Sequence, residues 1–140
     1  MKFDMKRMQE DLGSGTIFPL GKENPFGEFF EGQSYLHMLA QEGLSVANVT
    51  FAPGCTNHWH RHINGGQILL CTGGRGYYQE WGKEPRELRA GDVVSIGSEK
   101  HWHGASPNCW FSHIAIEIPG KDAKTEWQEA VNPEEYNELK

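Results

Sequence analysis

No apolar run in the 140-residue chain approaches the roughly 20 residues that a membrane-crossing helix needs, so no membrane partner is expected. Residues Met1 to Glu10 lack the apolar stretch of a secretory signal, which makes the cytoplasm the expected location. Cysteine is scarce: Cys55, Cys71 and Cys109 form no C-x-x-C pair and are odd in number, which argues against a disulfide framework and predicts reduced thiols. Basic charge is short as well. Thirteen Lys and Arg stand against 19 Asp and Glu, a formal charge of −6, whereas affinity for nucleic acid comes mainly from cations that neutralise phosphates. Nucleic acid is therefore set aside as a partner. Solenoid repeats, low-complexity tracts and long linkers are all missing, and the length fits one domain of roughly 100–200 residues.

What the chain has in excess is glycine, 17 residues, and histidine, 7 residues. Met5, Met8 and Leu12 stand at helical spacing and predict a short helix or arm that Gly13-Ser14-Gly15 stops. From Thr16 to Gly32 the chain is rich in Gly, Pro and aromatic residues and reads as an irregular segment packing on the barrel or on a partner. Strand-forming runs follow at Tyr35 to Ala40, Leu44 to Phe51, Gln67 to Thr72, Gly76 to Trp81, Arg86 to Arg89, Val93 to Ile96, His101 to Gly104 and Trp110 to Ile118. Turn signals separate them, including Gly73-Gly74, which reads as a hairpin turn. This spacing predicts an all-β sandwich or small barrel. From Asp122 the tail reads as helical, with Asn132 capping a last helix at Pro133. The expected division is an arm over 1–34, a barrel over 35–120 and a helical tail over 121–140.

All histidines except His37 lie between His58 and His113. Residues two apart on a strand share a face, so His60 and His62 can present two imidazoles to one ion. His58 has the same parity, and spacing alone leaves His58 with His60 equally open. His101 and His103 form a second pair, and the alternation from Trp110 places Phe111, His113 and Ala115 on one face. Three strands can thus deliver histidine to one cavity. Cys55 as a nucleophile beside His58 is a weaker reading of the same stretch.

The run Gly54-X5-His60-X-His62-X4-Gln67-X6-Gly74 resembles the first motif of the cupins, with Gln where most cupins carry Glu. Gly91-Asp-Val-Val-Ser-Ile-Gly-Ser-Glu-Lys-His101 is a looser match to the second motif, with a turn one residue shorter. Val49-Thr-Phe-Ala-Pro-Gly54, Trp59 before the His-x-His, Gln67 and Lys100-His-Trp-His-Gly-Ala105 are similar to a subgroup of small bacterial cupins. That subgroup includes cupin hydroxynitrile lyases and cupins associated with carboxymuconolactone decarboxylases. The resemblance runs from about Tyr35 to Ile118. It implies a jelly-roll barrel of two facing antiparallel sheets with short terminal helices, a metal held by His60, His62, Gln67 and His101, and His103 and His113 lining the cavity beside the ion. Imidazole accepts and returns a proton near neutral pH, which makes His103 and His113 the candidate catalytic groups, with support of the metal ligands as the alternative role.

Three neutral imidazoles and an amide oxygen leave a divalent cation its full charge, which favours Lewis-acid chemistry on a hydroxyl or carbonyl oxygen. The mixed nitrogen and oxygen donors suit one divalent transition metal, Mn first, with Fe, Ni, Co or Zn as alternatives. The expected function is a metal-dependent enzyme acting on a small hydroxy or carbonyl compound, in the first instance a C–C lyase with a histidine base. An Fe-dependent dioxygenase and a non-catalytic metal- or ligand-binding cupin are the alternatives. Cupins of this kind commonly pair, and the aromatic segment Phe26 to Phe30 offers an apolar surface, so a homodimer or homotetramer is expected.

Overall fold

The computed structural model describes residues 3–140. Helix α1 (Met5–Leu12) opens on Asp4, whose carboxylate accepts from the backbone N–H groups of Lys6 and Arg7. It buries Met8 and Leu12 in a small cluster with Ala52 and Trp110. The strands that follow are β1 (Lys22–Glu23), β2 (Phe30–Glu31), β3 (Ser34–Ala40), β4 (Ser45–Phe51), β5 (Thr56–Asn57) and β6 (His60–Ile63). Next come β7 (Gly66–Glu80), β8 (Arg86–Arg89), β9 (Val93–Ile96), β10 (His101–Ala105), β11 (Phe111–Ile118) and β12 (Lys124–Trp127), before helix α2 (Pro133–Asn137). All the strand pairings are antiparallel.

The sheet curls into two faces. One carries β1, β3, β4, β11, the first half of β7 and β9, and the other carries β2, β5, β10, the second half of β7 and β8, with β6 between β10 and β12. Phe51, Leu69, Leu88, Val94, Ile96 and Phe111 fill the space between them. The all-β jelly-roll architecture is thus present.

Strand β7 belongs to both faces, and here the structure corrects the sequence reading. Gly73-Gly74 is not a hairpin turn: the strand runs through it, pairing with β11 and β9 before the glycines and with β10 and β8 after them. The pair is a corner, the device by which a strand switches sheets. A Cβ on Gly73 would stand 2.0 Å from the Leu12 carbonyl at the end of α1. Gly74 has φ +75°, and a Cβ there would stand 1.9 Å from the backbone oxygen of Trp110. Gly74→Ala is therefore expected to cost about 3 kcal/mol or more, read from urea unfolding midpoints, because neither the dihedral nor the backbone neighbour can give.

The tail and the arm also differ from expectation. Residues 124–127, read as helical, form β12 and pair with β6 in the register Thr125 to His62 and Trp127 to His60. A four-residue run with alternating burial satisfies its backbone on an open strand edge, which local propensity does not report. The helix at Pro133 does form, and Asn132 caps it. Within the arm, β1 pairs with β3 and β2 with β5. Phe29 stacks on Trp127 at 4.7 Å and Phe30 packs on the core, so only Phe26 of that aromatic segment is well exposed. Apolar surface in the segment is thus largely covered by the chain's own barrel.

Candidate metal centre and cavity

Strands β6 and β10 lie side by side with His60 directly opposite His101. Parity then places His62 on the same face as His60, and His103 on the same face as His101. The short turn before His101 is held in place: the Arg61 guanidinium donates to the Ser98 carbonyl at 3.0 Å, and the Lys100 ammonium lies 3.7 Å from the centre of the Trp81 ring and 2.9 Å from Glu129. Farther along β10, the Tyr136 hydroxyl of α2 donates to the Ala105 carbonyl. A one-residue shortening of the turn has therefore not moved His101 off the histidine cluster.

The ring nitrogens are sorted by their partners. Nδ1–H of His60 donates to the His58 carbonyl and Nδ1–H of His101 to the Glu99 carbonyl, each at 2.8 Å. That leaves the Nε2 lone pair of each ring unprotonated. Thr125 Oγ1 stands 3.5 Å from His62 Nδ1. Gln67, on β7, lies directly across from Glu117 on β11, and its amide nitrogen donates to the Glu117 carboxylate. His62 Nε2, His101 Nε2 and Gln67 Oε1 are all buried with no hydrogen-bond partner among the described residues. A buried polar atom without a partner costs about 1–3 kcal/mol; His113 Nδ1 is a further one, and the His62 and His101 rings, 5.2 Å apart centre to centre, with Gln67 in the same wall as His62, offer donors that a cation would satisfy. The donor chemistry, imidazole nitrogen and amide oxygen, fits a divalent transition metal.

A second grouping overlaps the first. Ligand atoms of His60, His101 and His103 all lie within 4.8 Å of one another. His103, however, has its ring nitrogens engaged: Nδ1 is 3.2 Å from His113 Nε2, and Nε2 is 3.2 Å from the amide nitrogen of Asn57. Asn57 Oδ1 also accepts from the His103 backbone N–H at 2.9 Å, so one side chain grips both the ring and the strand. His103 and His113 thus form a buried imidazole dyad beside His60, packed on Phe51.

Burial holds the cluster neutral. It lowers the pKa of His101 to about 4 and that of His113 to about 3, and pushes His60 and His103 well below the ordinary value, with neighbouring imidazoles adding to the effect for both. His62 is lowered by the same cause, against an opposing contribution from Gln67. Glu117 is raised by burial, opposed by its hydrogen bond from Gln67.

These groups border a cavity of about 330 Å³. His60, His62, Gln67, His103 and His113 are in its wall, whereas His101 is fully buried beside His60, their ring centres 4.1 Å apart. Phe26, Phe30, Leu36, Met38, Val49, Phe51 and Trp127 supply most of the remaining surface. Glu117 is the one acidic side chain in the wall, and no Lys or Arg lines it among the described residues.

All six sequence-predicted site residues therefore come to one place. His58 does not join them; its ring meets Glu31 at 3.2 Å. Cys55 lies in the core, where burial pushes its thiol pKa far up, and it is no nucleophile beside His58. Sequence reasoning missed Asn57, Glu117, Thr125 and Trp127. Glu117 was within reach of it, since the alternation His113, Ala115 extends to that position, but Asn57 lies on a two-residue strand without periodicity.

A curled antiparallel barrel with a cluster of histidines inside defines a class, and the comparisons agree: the chain belongs to the cupin superfamily. It is 42% identical over 94 residues to an (R)-mandelonitrile lyase of Granulicella tundricola, 66% of this chain and 71% of that one. A cupin-like protein of Thermotoga maritima superposes with a TM-score of 0.81 at 40% identity, over 88% of this chain and 96% of that chain. At 19% identity a predicted oxalate decarboxylase of Thermotoga maritima, TM-score 0.63 over 71% of this chain and 93% of the other, shares the fold alone. No protein-family model matches the chain. No helix among the described residues is long and apolar enough to cross a membrane.

Proposed function

We propose that this cupin is a metal-dependent lyase that cleaves a C–C bond in a small neutral hydroxy compound, of the cyanohydrin type turned over by its mandelonitrile lyase relative. The observation that carries the reading is the set of buried, unpartnered donor atoms on His62, His101 and Gln67 beside the His60 ring, at the edge of a largely apolar cavity. Those four residues would hold one divalent ion, Mn first, with Fe, Ni, Co or Zn as alternatives. Such an ion supplies Lewis acidity, lowering the pKa of a hydroxyl and stabilising the alkoxide that develops.

The chain's own residues do the rest. His103, neutral at pH 7, accepts the hydroxyl proton at Nε2, whose lone pair the Asn57 amide N–H gives up, while its Nδ1–H passes toward His113 Nε2 across the 3.2 Å contact, so that the dyad carries one extra proton. The C–C bond then breaks with its electron pair on the departing cyanide, which takes a proton back from the dyad, leaving an aldehyde. Asn57 keeps the His103 ring in line. Phe26, Phe30, Met38, Val49, Phe51 and Trp127 hold the apolar body of the substrate and keep water out. With no Lys or Arg among the described wall residues to pair a carboxylate beyond any that the ion binds, a neutral compound fits better than a diacid.

Protein purified without a metal-affinity step is expected to contain close to one equivalent of a divalent transition metal by elemental analysis. It is expected to release aldehyde from mandelonitrile at equal rates with and without oxygen. Turnover that requires oxygen would replace the lyase by a dioxygenase. Bound metal without turnover of hydroxy or carbonyl compounds would leave a ligand-binding cupin, and failure to bind any metal would sink the reading.

A further inference from the structure

We infer that Glu117 is a positioning residue: its carboxylate pins the Gln67 side chain so that the amide oxygen, and not the amide nitrogen, faces the metal centre. The inference rests on the metal reading above, and it concerns a residue outside the histidine set. Glu117 and Gln67 are directly opposite on adjacent antiparallel strands, the closest pairing that a sheet offers. The Gln67 amide nitrogen donates to Glu117 Oε1 at 2.5 Å, and Gln67 Oε1 is left buried without a partner.

An amide has two ends of nearly equal shape, and which one faces a site is decided by its hydrogen bonds. A carboxylate is an acceptor only, so it selects the NH2 end for itself and turns the oxygen the other way. The opposite rotamer would set the amide oxygen against the carboxylate and aim two N–H groups at a place where a cation must sit. Gln67 is buried and Glu117 is half-buried in the wall, so the hydrogen bond between them, more than water, decides which end turns inward. The same register explains why a neutral side chain suits position 67, since two carboxylates directly opposite each other would repel.

A positioning role acting through Gln67 predicts non-additivity. Mn(II) affinity would be measured by chelator competition for wild type, Glu117→Ala, Glu117→Gln, Gln67→Ala and the Gln67→Ala/Glu117→Ala double variant, with thermal melts to show that each is folded. Glu117→Ala is expected to weaken Mn(II) binding by about 10- to 100-fold. Glu117→Gln, whose carbonyl can still accept from Gln67, is expected to recover most of that loss. In the Gln67→Ala background, Glu117→Ala is expected to cost nothing further. In metal-free protein, exchange of the Gln67 side-chain amide protons, followed by NMR, is expected to be at least about tenfold faster in Glu117→Ala.

The same loss of affinity with and without Gln67, or unchanged amide exchange, would overturn the assignment while leaving the metal centre standing. Wild-type protein that takes up no Mn(II) or other divalent metal would instead overturn the metal reading itself, with the amide exchange still reporting whether Glu117 holds Gln67.

Discussion

His62→Ala protein is expected to lose at least about a hundredfold in metal affinity, whereas His103→Gln protein is expected to keep its metal and lose about 10²–10⁴ in turnover. The two rings stand in the same cluster, and their partners separate them. His62 has a buried Nε2 without a hydrogen-bond partner among the described residues, so removing the ring removes a donor that an ion would satisfy. His103 has both nitrogens occupied, one by His113 and one by Asn57, an arrangement suited to moving a proton and not to holding a cation. Glutamine at 103 retains the volume and can meet Asn57, but it cannot accept and return a proton near neutral pH. Elemental analysis beside steady-state kinetics reads both effects, and circular dichroism verifies that each variant is folded. The reverse pattern, metal lost with His103 and kept without His62, would place the ion on the tighter trio of His60, His101 and His103.

Metal-free protein is expected to lose stability steeply between pH 6.5 and 4. In the unfolded chain each histidine titrates near 6.5, while in the fold burial depresses His101 to about 4, His113 to about 3, and His60 and His103 well below the ordinary value. Between those limits the unfolded state binds more protons, so stability rises with pH and is lost as pH falls through the window. One proton contributes about 1.4 kcal/mol per pH unit, so His101 and His113 together contribute up to about 3 kcal/mol per pH unit at pH 5, and His60 and His103 act in the same direction. Glu117 opposes this by up to one proton, because its carboxyl is raised by burial and the folded state binds its proton first. A small domain with a total of about 5–15 kcal/mol cannot survive such a slope for long, and cooperative acid unfolding should follow by about pH 5. Urea titrations at pH 7, 6 and 5 measure the slope. A dependence of less than one proton would show that the rings are not held neutral. Added Mn(II) should carry the loss to lower pH, since an ion binds neutral imidazole and must be displaced by protons.

Much of this was legible in the chain itself. β-Forming composition between turn signals in Ser45–Phe51, Val93–Ile96 and Phe111–Ile118 is local information, and each of these became a strand because a short run of β-formers gains by burial wherever neighbouring elements cover it. The two His-x-His pairs were legible locally too: a period of two puts both rings on one side whatever the sheet is paired with. Asn132-Pro133 likewise carries its own helix start. Gly73-Gly74 shows where local reading stops. The same dipeptide serves a hairpin or a corner, and only the pairing of β7 with β11 on one side and β10 on the other decides which.

Register was the other quantity that distance along the chain cannot carry. His60 lies opposite His101 and Gln67 opposite Glu117, 50 residues away, because hydrogen bonds between strands select one alignment out of many. Trp127, from a tail read as helix, reached His60 through β12, and Asn57 reached His103 through a strand of two residues. The sequence by itself determined the barrel, the histidines and their faces, since these follow from short-range periodicity and side-chain chemistry. The tertiary structure alone decided which nitrogen of each ring is free, which end of Gln67 turns inward, and which acid stands behind it, since each depends on a partner brought near only by folding.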